Sequence, residues 1–225
     1  NDTNDIKDNT RNFQDPMVGV VRVGIIPTIA PYLLPIIMPH LHNHFKNLKL
    51  WLYEYQTHVC LEKLQRSELD CLILALPIEK HEFSEQDLFR EPFRLDVNRD
   101  QLLAKKKQLN KGDIAHKKLL ILEEEDCLRG HILDVCLLAG VKEQEHNQAT
   151  SLETLRHMVG EGMGMTLMPE LAVPKKTTKA DEIRYIEFSD PKPTRRIGML
   201  YRKNSYREET FNNIAELIKS VLPVN

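Results

Sequence analysis

The sequence predicts an α/β fold of two lobes with mainly parallel sheets. Three observations carry that prediction: a βαβαβ order of apolar runs between residues 18 and 76, a second α/β set beginning near Glu91, and a strand and helix near the end of the chain. Alternating strands and helices favour parallel pairing, right-handed crossovers and helices on both faces of each sheet. The 225 residues, 41% hydrophobic and 28% charged, suffice for one large domain or two small ones.

Taken in order, the polar start NDTNDIKDNTRNFQDP lacks apolar periodicity and reads as a linker. GVVRVGII (19–26) is a strand pattern, and IAPYLLPIIMPHLHNHF (29–45) a helix with unusual prolines at 31, 35 and 39. Pro31 suits a first turn, whereas Pro39 should kink or tighten the helix beyond it. LKLWLYEY (48–55) alternates, THVCLEKLQRSEL (57–69) has helical spacing, and DCLILAL (70–76) is a continuous apolar run typical of a strand covered on both faces. In the second set, PFRLDV is a strand, 101–111 is Lys-rich, KKLLILEE (117–124) is a strand and CLRGHILDVCLLAG a helix ending at Gly140. Thr150-Ser151-Leu152-Glu153 supplies a capping box for a helix through Val159, and MGMTLMPE is a further strand. A Pro- and Lys-rich stretch at 174–180 precedes the strands RYIEF and RRIGMLYRK (195–203). In the last helix Phe211, Ile214, Ala215, Ile218 and Leu222 form an apolar face. The expected boundaries are a linker or hinge remnant at 1–17, one lobe from 18–90 plus 194–225, and a second lobe at 91–193 with a cleft between the two.

A net charge of −2, with 31 basic against 33 acidic residues, gives no bulk field favouring nucleic acid or an anionic membrane. No apolar run approaches a bilayer's thickness, and the start is polar where a secretory signal is apolar. A cytoplasmic location without membrane contact is therefore expected. Neither a metal nor another cofactor is expected.

Four cysteines, at 60, 71, 127 and 136, are too few and too unevenly spaced for a secreted disulfide scaffold. Cys60 and Cys71 sit in apolar patterns and read as core. Cys127 and Cys136 are nine residues apart on a predicted helix, so their backbones would stand roughly 13–14 Å apart. A disulfide needs Cα atoms within about 7 Å. Either the segment unwinds when the two bond, or they are unrelated core thiols. Cys127 falls at the predicted helix N-terminus with Arg129 two residues on, which favours thiolate. Glu125 and Asp126 oppose it unless Arg129 or His146 offsets them.

The stretches GIIPTIAPYLLP (24–35), YQTH (55–58), LDCLILAL (69–76), CLRGHILDVC (127–136), ATSLETLRHMVGEGMGMTLMPELAVP (149–174) and RRIGMLYR (195–202) resemble the OxyR family of hydrogen-peroxide-sensing LysR-type regulators. The resemblance runs from about residue 19 to nearly the end. It implies a two-lobed, periplasmic-binding-protein-like (type 2) effector domain, working as a homodimer or homotetramer. Promoter DNA would be bound only through a winged helix-turn-helix domain that this chain lacks, and RNA polymerase is a further implied partner. The resemblance makes Cys127 the peroxidatic thiol and Cys136 its resolving partner in the second lobe, with thiol reductants of the glutaredoxin or glutathione type reversing the disulfide.

Carried over residue by residue, Thr28 and Thr57 match hydroxyls that hold peroxide or water near the thiol, Arg129 matches an arginine beside it, and His146 a pocket histidine. Helix capping would explain both threonines equally well. Asp126 departs from the family, which usually has histidine immediately before the reactive cysteine, and Gly130 stands where an acidic residue is usual. The implied role is a regulator and not an enzyme. The alternatives are a LysR-type domain binding a small metabolite between the lobes with structural cysteines, and a thiol peroxidase.

Overall fold

In the computed structural model the described residues are 17–78, 82–122, 142–178 and 180–222, with the side chains of 142–148 left aside. The chain divides into two compact units, Asn1–Phe89 with Arg196–Asn225, and Arg90–Arg195.

The first unit is built on the strand order β2-β1-β3-β10. Strand β1 (Gly19–Ile25) pairs in parallel with β2 (Leu48–Glu54) over its whole length, from Gly19 opposite Leu48 to Ile25 opposite Glu54. On its other side β1 pairs in parallel with β3 (Cys71–Leu76). All six β3 residues are buried, as expected of a continuous apolar run covered on both faces. Helices α1 (Ala30–His44) and α2 (Thr57–Gln65) make the crossovers. The late strand β10 (Thr194–Arg202) lies antiparallel to β3, with Tyr201 opposite Cys71.

Helix α1 runs through Pro35 and Pro39 to His44. The three prolines recur every fourth residue on the exposed side, while Ala30, Leu33, Ile37 and Leu41 point inward. The carbonyls of Pro31 and Pro35, which lose their usual donors, therefore lie on the water-facing side, where the loss is tolerated. In the last helix, α4 (Glu208–Val221), Phe211, Ile214, Ala215 and Ile218 are buried, and Leu222 just beyond it is buried too.

The second unit has the order β4-β8-β6-β7, with β9 on the other side of β4 and β5 outside β9. Strand β4 (Phe83–Asn98) is longer than the expected PFRLDV, because FSEQDLFRE is extended as well. Strands β6 (Lys118–Leu122) and β8 (Met165–Pro169) match expectation, as does β9 (Ile183–Phe188). Strand β7 (Lys142–Ala149), which pairs in parallel with β6, was not expected from its polar sequence. The Lys-rich segment forms two short 3-10 turns around β5 (Gln108–Leu109). Parallel pairs are in the majority among the described strands, and the antiparallel ones involve β4 and β10.

Helix α3 (Leu152–Gly160) departs from the expected capping box. Its N-cap is Ser151, whose hydroxyl accepts the Thr154 N–H, and Glu153 pairs with Arg156. The helix begins one residue later than the box requires.

Candidate functional site

The carboxyl ends of parallel strands are where α/β folds place ligands, because the loops there open onto the sheet edge. In the first unit Ile25 and Glu54 are partners at the ends of β1 and β2, and Thr28 and Thr57 each lie three residues beyond. The Tyr55 N–H donates to the Ile25 carbonyl (3.2 Å) and the Ile26 N–H to the Ile73 carbonyl (3.3 Å). These bonds hold the turns against the end of β1 and the middle of β3. The structure thus sets two of the sequence-derived hydroxyls beyond neighbouring strand ends.

Neither threonine is a helix cap. The N-cap positions are Ile29 and Gln56, and neither makes a side-chain capping bond. The capping explanation is therefore overturned for Thr57, and Thr28 stands one residue ahead of the N-cap position. Thr28 is buried, 3% exposed. The Thr57 Oγ1 is closed off from water and has no hydrogen-bond partner among the described residues. A buried hydroxyl without a partner carries a desolvation cost of about 1–3 kcal/mol, which a hydrogen-bonding ligand relieves.

Cys127, Cys136, Arg129 and Asp126 lie outside the described residues, and His146 is described only as a backbone position in β7. The other two thiols are core groups, as expected. Cys60 is buried with its Sγ 3.4 Å from the Tyr55 carbonyl. Burial, and after it the neighbouring Asp70 charge, push the Cys71 thiol far above the ordinary range, so it carries no thiolate near neutral pH.

Sequence reasoning missed a buried polar group in the second unit. Asp96 on β4 is fully buried, opposite Thr166 on β8 and Tyr185 on β9, and neither carboxyl oxygen has a hydrogen-bond partner among the described residues. Burial raises its pKa well above the usual carboxylate range, outweighing the opposing pull of Arg156 and Arg94. Tyr185 is pushed up to about 12, first by burial and then by Asp96. An aspartate between Leu95 and Val97 in a strand pattern was the available signal. Among the described residues no cluster of three His, Cys, Asp or Glu could hold a metal ion. No described helix is long and apolar enough to cross a membrane.

Two α/β units, the second inserted into the first, with buried hydroxyls beyond parallel strand ends, define an effector-binding type of domain. The family model for the LysR substrate binding domain matches residues 14–223, and the chain belongs to that family. The chain is 43% identical over 206 residues to the DNA-binding transcriptional dual regulator OxyR of Escherichia coli (strain K12), covering 92% of this chain and 67% of that protein. Its fold is similar to the crystal structure of the reduced form of OxyR, with a TM-score of 0.84 and 40% identity over 92% of this chain and 97% of that one. Similarity to the oxidized form is nearly the same, with a TM-score of 0.83 and 42% identity over the same shares.

Proposed function

We propose that this chain is the redox-sensing regulatory domain of a transcriptional regulator of the oxidative stress response, switched by hydrogen peroxide. The observation that carries this reading is the likeness, over 92% of the chain, to one regulator solved in both reduced and oxidized forms. A domain that exists in both redox states needs a reversible redox group, and Cys127 and Cys136 in CLRGHILDVC supply the two thiols. Peroxide, rather than a small metabolite, is the input that these relatives favour.

The chemistry balances with these two thiols alone. The Cys127 thiolate attacks one peroxide oxygen; the S–O bond forms, the O–O bond breaks, and the departing hydroxide takes a proton to become water. Cys136 then attacks the sulfenic sulfur, forming the disulfide and releasing a second water. Peroxide is reduced and two thiols are oxidised. A glutathione- or glutaredoxin-type thiol returns the pair by exchange. The cycle runs once per activation, as a switch and not an enzyme, and belongs in a reducing cytoplasm.

Thr28 and Thr57 hold peroxide or a water for this step, and the unpartnered Thr57 hydroxyl supports that role. Arg129 and His146 supply positive charge or a proton, while Asp126 disfavours thiolate and slows activation relative to a histidine. The redox pair belongs to the lobe spanning 91–193. Disulfide formation refolds the segment between the thiols and alters packing between copies in a homodimer or homotetramer. Trp51 and Leu52, exposed on strand β2 at the end of the first unit's strand order, support self-association. Promoter DNA and RNA polymerase are reached through the rest of a longer regulator.

The test is intact-mass and peptide mass spectrometry after stoichiometric peroxide. The expected result is loss of two hydrogens and a Cys127–Cys136 linked peptide, absent in Cys127→Ser. If no such peptide forms, or the variant behaves as the parent does, the reading fails.

A further inference from the structure

The two Lys-rich stretches that the redox chemistry leaves unused meet in the second unit. They line an open cavity of about 280 Å3 bounded by Ala104, Lys106 and Lys107 on one side, Thr177 and Thr178 on another, and Ile183, Arg184, Tyr185 and Ile186 of β9. The cavity exists because β5 pairs with β9 only at Glu187 and Phe188. Ahead of that point β9 is paired with β4 on its far side, and the chain at Lys106 and Lys107 stands away from it.

Among the described residues no carboxylate lines this space, whereas three cations do. Lys106 is fixed by Asp113 at 2.6 Å. Arg184 is oriented by backbone carbonyls, 2.8 Å from that of Asp181 and 3.2 Å from that of its neighbour Ile183. The Lys107 ammonium has no ion-pair partner among the described residues. Asp113 offsets the charge of Lys106 and Asp181 part of that of Arg184, so Lys107 supplies the uncompensated charge that an anion in this space would meet. The remaining lining, Ala104, Ile183 and Ile186, offers apolar surface for a carbon skeleton. The volume lies just below the ~300–1,000 Å3 of sites for drug-sized ligands, which fits a small metabolite.

We propose that this cavity binds a small organic anion, a carboxylate or a phosphate ester, with Lys106, Lys107 and Arg184 as its cationic ligands. The site lies wholly within the second unit and gives the domain an input separate from its thiols. Its occupancy reports a metabolite's concentration while the cysteine pair reports peroxide.

Isothermal titration calorimetry of the reduced chain at constant ionic strength tests the proposal, with citrate and glucose 6-phosphate as probes and inorganic sulfate as control. The expected result is saturable binding of at least one probe at one site per chain, and the better binder identifies the anion class. Lys107→Gln should weaken it about tenfold, the loss of one charge-assisted contact. Lys117→Gln, an exposed lysine outside the cavity, should leave it within about twofold. The proposal is overturned if neither probe saturates, if sulfate binds as well as both, or if Lys117→Gln weakens binding as much as Lys107→Gln does.

Discussion

Replacing Arg195 by methionine tests a buried ion pair of the second unit. The Arg195 Nε lies 2.8 Å from the Glu91 Oε2, with the two side chains 0% and 1% exposed. The other carboxylate oxygen, Glu91 Oε1, accepts the Leu171 N–H at 2.9 Å, which secures the turn after β8. Two unit charges about 4 Å apart at an effective dielectric of about 20 attract by about 4 kcal/mol. Removing the arginine withdraws that attraction and leaves a carboxylate buried without its counter-charge. Arg195→Met should therefore cost about 3–5 kcal/mol. Glu91→Gln keeps an oxygen for Leu171 but withdraws the negative charge from the Arg195 Nε, so it should cost a similar amount. The double variant leaves no bare charge and keeps the Leu171 bond, so it should be more stable than either single one. Urea denaturation, with the slope checked for constancy, measures all four corners of the cycle. A loss below about 1 kcal/mol for Arg195→Met, the range of exposed pairs, would refute the reasoning. So would a double variant whose loss equals the sum of the single ones.

Two further predictions rest on packing and on protonation. A Cβ added at Gly24 would stand 2.7 Å from Leu69 Cδ1, 2.7 Å from Leu72 Cδ2 and 3.2 Å from Cys60 Sγ. Gly24→Ala should thus cost about 1–3 kcal/mol by overpacking, and an unchanged urea midpoint would show that these side chains yield freely. Asp96 keeps its proton in the fold at pH values where the unfolded chain, with a pKa of about 3.9, has lost it. The unfolded state then binds fewer protons, so Asp96 lowers stability progressively as pH rises through about 4 toward its folded pKa. Asp96→Asn removes this dependence and should gain on the parent between pH 4 and 7 in urea melts; a difference that stays flat, or narrows, contradicts a protonated Asp96.

The elements legible in the sequence are those whose own residues carry the burial. DCLILAL announces β3 because every side chain in it is apolar and covered. The last helix is legible because Phe211, Ile214, Ala215 and Ile218 repeat at its period. Strand β7, KEQEHNQA, offers no such alternation; its ladder to β6 is a matter of backbone pairing, which polar sequence does not reveal. The first half of β4 hid for a related reason, since its inward positions include a charged Glu91 whose partner Arg195 is 104 residues away. At the site, Thr28 and Thr57 were legible as residues, but that neither stands at the N-cap position depends on where α1 and α2 begin. The cationic cavity was visible only as two separate lysine-rich stretches, because nothing local says that 104–107 and 177–186 meet.

The division of the first unit between Asn1–Phe89 and Arg196–Asn225 sets a timetable for synthesis. Strands β1 to β3 leave the ribosome before the second unit, yet β3, buried at every position, must wait for β10 to occupy its open side. The second unit is complete before that strand is made. The segment up to β3 thus waits through synthesis of the whole second unit with an unprotected apolar edge, and a stop codon before β10 would cripple a unit begun before the second one. Within this fold, residues synthesised after the second unit hold in place those synthesised before it.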